Sequence, residues 1–126
     1  MKRFLFATVL TLLLCGCSTV STHINPYLGM AGYAATDPAS VVILTAEPTN
    51  RPHQRLGEVF LSISGSPSRE KLEKKLKAAA ANLGANAVFI VYDQTHFFPV
   101  VYVDWWGPNV YQNTARTIVG VPIRYK

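Results

Sequence analysis

Cysteine is almost missing from this chain, and the positions of its two copies narrow the possible chemistry. Cys15 and Cys17 are the only cysteines in 126 residues. The body of the sequence therefore has no disulfide staple, no cysteine-based metal site and no cysteine nucleophile. Long apolar runs are scarce as well. Residues 4–14 form an uncharged apolar run of eleven residues, whereas a membrane-spanning helix needs about 20 at 1.5 Å each. No serine stands in a nucleophile-elbow sequence, and no glycine-rich loop could cradle a phosphate. His23, His53 and His96 are the three histidines, and no two have metal-ligand spacing. No metal, cofactor or enzymatic activity is expected on these grounds. Asp93, Asp104, Glu58 and His96 are the residues open to acid–base work, and nothing in their spacing makes them a set.

The N-terminal residues are more informative. Lys2 and Arg3 precede the apolar run, which ends in Leu14-Cys15-Gly16-Cys17 followed by Ser18. A charged start, an apolar centre and a small residue at the cut make a secretory signal. The ending resembles the bacterial lipobox, which implies cleavage before Cys17 and lipidation of its thiol. Cleavage before Cys15 would place bulky Leu14 at the cut, where Gly16 fits better. One acyl chain attaches reversibly, so a multiply acylated, palmitate-type anchor on Cys17 would hold firmly. Residues 1–16 are thus expected to be a cleaved signal peptide. The protein is expected in the cell envelope, bound to the bilayer through Cys17. In a Gram-negative cell, Ser18 after the cysteine resembles cargo sorted to the outer membrane, facing the periplasm.

Without residues 1–16 the chain keeps 110 residues, and its net charge falls from +5 to +3 with the loss of Lys2 and Arg3. That is one domain's length and a weakly basic balance, with no nucleic-acid partner indicated. Residues 17–40 read as the lipidated N-terminus and a tether rich in small residues. Ile24, Tyr27, Leu28, Met30 and Tyr33 are available in it to pack on the domain.

Residues 41–126 read as a single small α+β domain. Residues 41–46 suggest a first strand, and residues 47–56, with Pro48, Asn50 and Pro52, a loop. Residues 57–64 alternate, with Val59, Leu61 and Ile63 on one face. The spacing of Leu72, Leu76, Ala79, Ala80 and Leu83 predicts a helix over residues 67–83. Ser66 is its expected N-cap and Gly84 its C-terminal stop. Glu70–Lys74 and Glu73–Lys77 are possible pairs along it. Residues 86–92, apolar on both faces, suggest the central strand of the sheet. Residues 114–125 suggest a last strand, in which Pro122 implies either an edge position or a bulge. The expected order is β-β-α-β-β, with one helix packed on a mixed sheet and an aromatic-rich hairpin added.

The Ala-rich helix end and the turn Leu83-Gly84-Ala85-Asn86-Ala87-Val88, together with the loop into a strand at residues 51–59, resemble the YbjQ/RcsF-like small α+β domains of bacterial envelope lipoproteins. The resemblance covers residues 41–92. It implies a β-β-α-β-β fold; some members assemble into rings, and one branch signals envelope stress through protein partners. That branch has disulfides within the domain, which this chain cannot form.

Residues 96–111 hold Phe97, Phe98, Tyr102, Trp105, Trp106 and Tyr111. They read as a hairpin turning at residues 104–109. Its aromatics either fill the second face of the sheet or stand exposed at the turn, where they would meet a partner or the lipid interface. Tyr102, Trp105, Trp106 and Tyr111 are the expected contact surface for an envelope protein or another copy of the chain. The expected function is a membrane-anchored, non-catalytic binding or assembly module. The alternative is an envelope stress or ligand sensor that signals through a protein partner.

Overall fold

A helix that carries Leu72, Leu76, Ala79 and Ala80 on one side must cover them against another element. Here they are buried against a sheet. The computed structural model describes residues 18–30 and 32–126; the expected signal peptide and Cys17 lie outside these residues. The chain runs through β1 (Thr19–Pro26), a 3-10 turn (Pro38–Ser40), β2 (Val42–Leu44), β3 (His53–Arg55), β4 (Gly57–Ser64), α1 (Arg69–Asn82), β5 (Ala87–Asp104) and β6 (Gly107–Tyr125). Among the described residues the result is an α+β domain with one helix and one six-stranded sheet, ordered β1-β4-β6-β5-β2, with β3 paired to β6 beside β4. All pairs are antiparallel except β2 with β5.

β4 and β5 both run antiparallel to β6, which lies between them. They are therefore parallel to each other, and α1 makes the crossing. Val59, Leu61, Ile63, Val88 and Ile118 meet the helix leucines in one cluster. Ala87, Phe89, Val121 and Ile123 form a second cluster on the other face. Residues 87–89 are buried on both faces, but the cover expected along residues 86–92 stops there: Ile90 is half-buried and Val91 is exposed.

Several expectations need correction. Residues 18–40 do not hang free as a tether. β1 pairs along its whole length with β4, from Thr19↔Ser64 to Pro26↔Gly57. Val20 and Ile24 pack on the core, joined by Met30 and Tyr33. Thr36 Oγ1 donates to Ala85 O at 2.7 Å, and Thr36 N–H donates to Ala81 O at 2.9 Å. Val20, Thr22 and Ile24 alternate along this strand, but only weakly against the residues between them. Leu28, in contrast, is fully exposed.

The centre of the sheet is β6, not β5. Pro122 sits in this central strand and is fully buried. Between Arg55↔Ile123 and Val59↔Gly120, residues 56–58 oppose only residues 121 and 122. The extra residue is a bulge, one of the two alternatives for a strand containing proline. Leu56 N–H donates to Pro122 O at 2.9 Å, so the missing donor falls where the ladder is already interrupted. The expected loop at residues 47–56 contains β3.

The helix begins at Arg69, capped by Ser68 and not by Ser66. Ser68 Oγ accepts from Lys71 N–H at 3.2 Å. This start leaves Pro67 outside the helix and puts Glu70 in the first turn, where the helix dipole favours an acid. Glu73 pairs with Arg69 at 2.8 Å instead of with Lys77. Gly84 ends the helix at φ +82°, and a Cβ there would stand 2.6 Å from Tyr33 Cβ. The hairpin is also longer than expected: β5 continues through residues 93–97 as one strand, because Gln94, Thr95 and His96 pair with Thr117, Arg116 and Ala115.

Leu76→Ala should cost about 2–4 kcal/mol in denaturant unfolding, as truncation of a buried leucine does. A loss below about 0.5 kcal/mol would mean that the stripe is not packed. Gly84→Val should also destabilise, because both its φ and its contact with Tyr33 oppose a side chain.

Candidate functional site: the aromatic arm

The last pair that β6 shares with β4 is Ser64↔Ala115, and His96 faces Ala115 from β5. Among the described residues, β5 and β6 pair beyond that level only with each other, through eight pairs from Phe97↔Thr114 to Asp104↔Gly107. At about 3.4 Å per residue these form an arm about 27 Å long. Among the described residues, nine of the twelve large exposed hydrophobics lie in it: Phe97, Phe98, Val101, Tyr102, Val103, Trp105, Trp106, Val110 and Tyr111. The aromatics therefore do not fill the second face of the sheet.

Opposed residues in an antiparallel pair share a face, so the register sorts the arm. Phe97, Pro99, Val101, Val103, Pro108 and Val110 lie on the face that, farther along, covers α1. Phe98, Val100, Tyr102, Asn109, Tyr111 and Asn113 lie on the other face. The four residues expected to act together are thus divided. The Tyr102 and Tyr111 rings meet edge to face at 5.5 Å on the second face. Trp105 and Trp106 form the two-residue loop at the tip, 95% and 91% exposed. Between residues 97 and 114 the only charge is Asp104. Its carboxylate is held within the turn: Oδ1 accepts Trp106 N–H at 2.8 Å and Oδ2 accepts Asn109 Nδ2–H at 2.7 Å.

The candidate acid–base residues do not converge. Asp93 is in mid-strand and not at a strand end, and it accepts both Arg116 Nε–H at 2.7 Å and Arg116 Nη2–H at 2.6 Å. This paired guanidinium holds the Asp93 carboxyl below its ordinary range. The pair lies on the helix side of the sheet, beside a groove of about 420 Å³ that also borders Arg69, Glu73, Leu72 and Ile90. His96 lies on the opposite side, with Nε2 3.0 Å from the Tyr92 hydroxyl. Glu58 receives the Tyr27 hydroxyl at 3.4 Å. His23 lies beside the Phe60 ring, 6.3 Å between centroids. Among the described residues, no three His, Cys, Asp or Glu side chains gather as metal ligands.

One polar cluster was not legible in the sequence. Glu47 Oε1 accepts Arg55 Nε–H at 2.8 Å and lies 2.8 Å from His53 Nε2, while Arg55 Nη2 reaches Glu47 Oε2. His53 Nδ1 stands 2.8 Å from Arg51 O. Both ring nitrogens thus face acceptors, an arrangement that suits the imidazolium. Bonding to Arg55 lowers the Glu47 pKa to about 2, and bonding to Glu47 raises that of His53 above 6.5. The proline-rich sequence of this loop hides the cluster, because its members are six and eight residues apart.

No family model and no curated protein matches this chain. Among solved structures, the crystal structure of the Francisella virulence factor FvfA resembles it at 17% identity and a TM-score of 0.50, covering 82% of this chain and 97% of that one. The likeness is one of fold.

The Glu47–His53–Arg55 cluster should make the loop pH-dependent at both ends. Because the Glu47 pKa is depressed, its support is present above 4.5 and is lost as pH falls toward about 2. Because that of His53 is raised, its support is full below 6.5 and is lost as pH rises through the raised value. Glu47→Gln should bring the His53 ring titration, followed by NMR, back toward 6.5. An unchanged titration would mean that Glu47 does not set it.

Proposed function

We propose that this protein is a lipid-anchored, non-catalytic binding or assembly module of the cell envelope, held by acylated Cys17 and presenting the arm to other molecules. In a Gram-negative cell it faces the periplasm from the outer membrane. The observation that carries this reading is the arm itself: nine large exposed hydrophobic side chains on a ribbon with one charge. Monomeric domains rarely leave so much apolar surface uncovered without a use. Tyr102 and Tyr111, as a rigid edge-to-face pair flanked by Asn109 and Asn113, suit a protein surface. The charged groups beside the groove at Asp93 pair with one another, which favours docking over ligand sensing.

The reading includes kinship with YbjQ/RcsF-like envelope domains. Its support is the Leu83–Val88 turn, in which Gly84 closes the helix and Ala85, Ala87 and Val88 are buried.

Two measurements test it. Cys17→Ser should lose acyl labelling and leave the membrane fraction; labelling that persists, or that sits on Cys15, would refute the anchor. A photo-crosslinker at position 102 or 111 in intact envelopes should give protein adducts, including adducts between copies if the partner is the chain itself, while one at exposed Lys74 should not. Tyr102→Ala with Tyr111→Ala should weaken that association and change stability by no more than about 0.5 kcal/mol, as surface changes do. Equal adducts at all three positions would remove the arm as the binding surface.

A further inference from the structure

The strand directions place the anchor and the arm at the same end of the sheet. β6 leaves the arm to enter the sheet, so the antiparallel β4 ends there at Ser64, and β1, antiparallel to β4, begins there at Thr19. Thr19, Ser64, Ala115 and His96 lie on one level across four neighbouring strands. Ser18 O accepts from Lys71 Nζ at 3.4 Å, which keeps the chain against the domain to its first described residue. Cys17 immediately precedes it. Two residues can span at most about 7 Å between the lipid and Thr19. The arm extends eight pairs, about 27 Å, past the same level.

A lipid at Cys17 therefore brings the arm against the bilayer, because the leash is much shorter than the arm. We propose that the arm of residues 97–114 seats in the headgroup region of the membrane that holds Cys17, with Trp105 and Trp106 at the lipid–water interface. This deepens the function proposed above and rests on its assignment of Cys17 as the lipidated residue.

The chemistry of the arm fits this occupant. Tryptophan is a residue of membrane interfaces, where its apolar ring and its N–H donor both find partners. Val103 and Pro108, one pair further from the tip than Asp104 and Gly107, are apolar. Asp104, the only charge, has both carboxylate oxygens hydrogen-bonded within the turn, which lowers the cost of drawing it from water. A lone two-stranded ribbon keeps unpaired backbone groups along both edges. It is therefore suited to the hydrated headgroup layer and not to the hydrocarbon core, where open edges do not occur. A second copy pairing along those edges is disfavoured by Pro99 on one strand and Pro108 on the other. The arm carries no cation, so its binding should not need anionic lipid.

The chain has two tryptophans, Trp105 and Trp106, so tryptophan emission reports on the tip alone. The lipidated full-length protein is reconstituted in phosphatidylcholine vesicles with and without brominated acyl chains, and the mass of the same sample establishes the lipid on Cys17. The expected result is blue-shifted emission, strong quenching by bromine placed near the headgroups, shielding from iodide and no change on adding salt. Lys74→Ala, at an exposed position on α1 outside the arm, should leave that signal intact. Lipid on Cys17 with water-like, iodide-accessible emission overturns the inference and leaves the anchor standing. Blue-shifted emission without bromine quenching, accompanied by dimers, assigns the tip to a second copy and also overturns it. No lipid on Cys17 overturns the anchor assignment and the inference with it.

Discussion

Leu76 rests on the backbone of Gly120, and the arrangement of the domain follows from that contact. A Cβ on Gly120 would lie 2.8 Å from Val88 Cγ2 and 3.0 Å from Leu76 Cδ1. Only a residue without a side chain lets the helix close on the sheet at this point. Gly120 lies in β6, opposite Val59 of β4 and Ile90 of β5. The helix is thus centred over the strand that holds its two neighbours together. Val59, Leu61 and Val88, all fully buried, complete the seat. Packing of this kind, with few gaps, gives a small domain without disulfides its stability.

The same constraint separates the domain from its arm. The helix covers only the part of β5 and β6 near Gly120, and β4 accompanies β6 only as far as Ala115. Past that level, among the described residues, the ribbon's large side chains stand mostly exposed, although the ladder continues to the Trp105–Trp106 loop. The domain is held by burial, whereas the arm is held by its own hydrogen bonds and by cross-strand contacts such as Tyr102 with Tyr111. An isolated two-stranded ribbon is marginal in water. An arm of this composition gains from a surface to lie on, which links its exposed aromatics to a role in contact.

The legible parts of the fold were those with strong local chemistry. The leucine stripe, the Gly84 stop and the alternation of β4 each follow from a repeat or a single residue type. β1 was obscured because its inward positions are Val20, Thr22 and Ile24, a weak contrast with the residues between them. The central place of β6 was obscured by Pro122, whose missing donor is absorbed by the bulge at residues 56–58. The continuity of β5 was obscured by the polar run at Gln94, Thr95 and His96, which are paired though exposed. Of the candidate site, the aromatic hairpin and its turn were readable. Its division into a tyrosine face and a tryptophan tip needed the register.

Backbone amide exchange of the full-length chain, followed residue by residue, tests most directly whether one core holds the domain while the arm stands apart. Amides of residues 59–63 and 118–121 should exchange only through global unfolding, and those of residues 97–114 much faster, through local opening of the ribbon. Equally slow exchange in both segments, in the absence of any membrane or partner, would contradict the account, because it would require the arm to be packed within the domain.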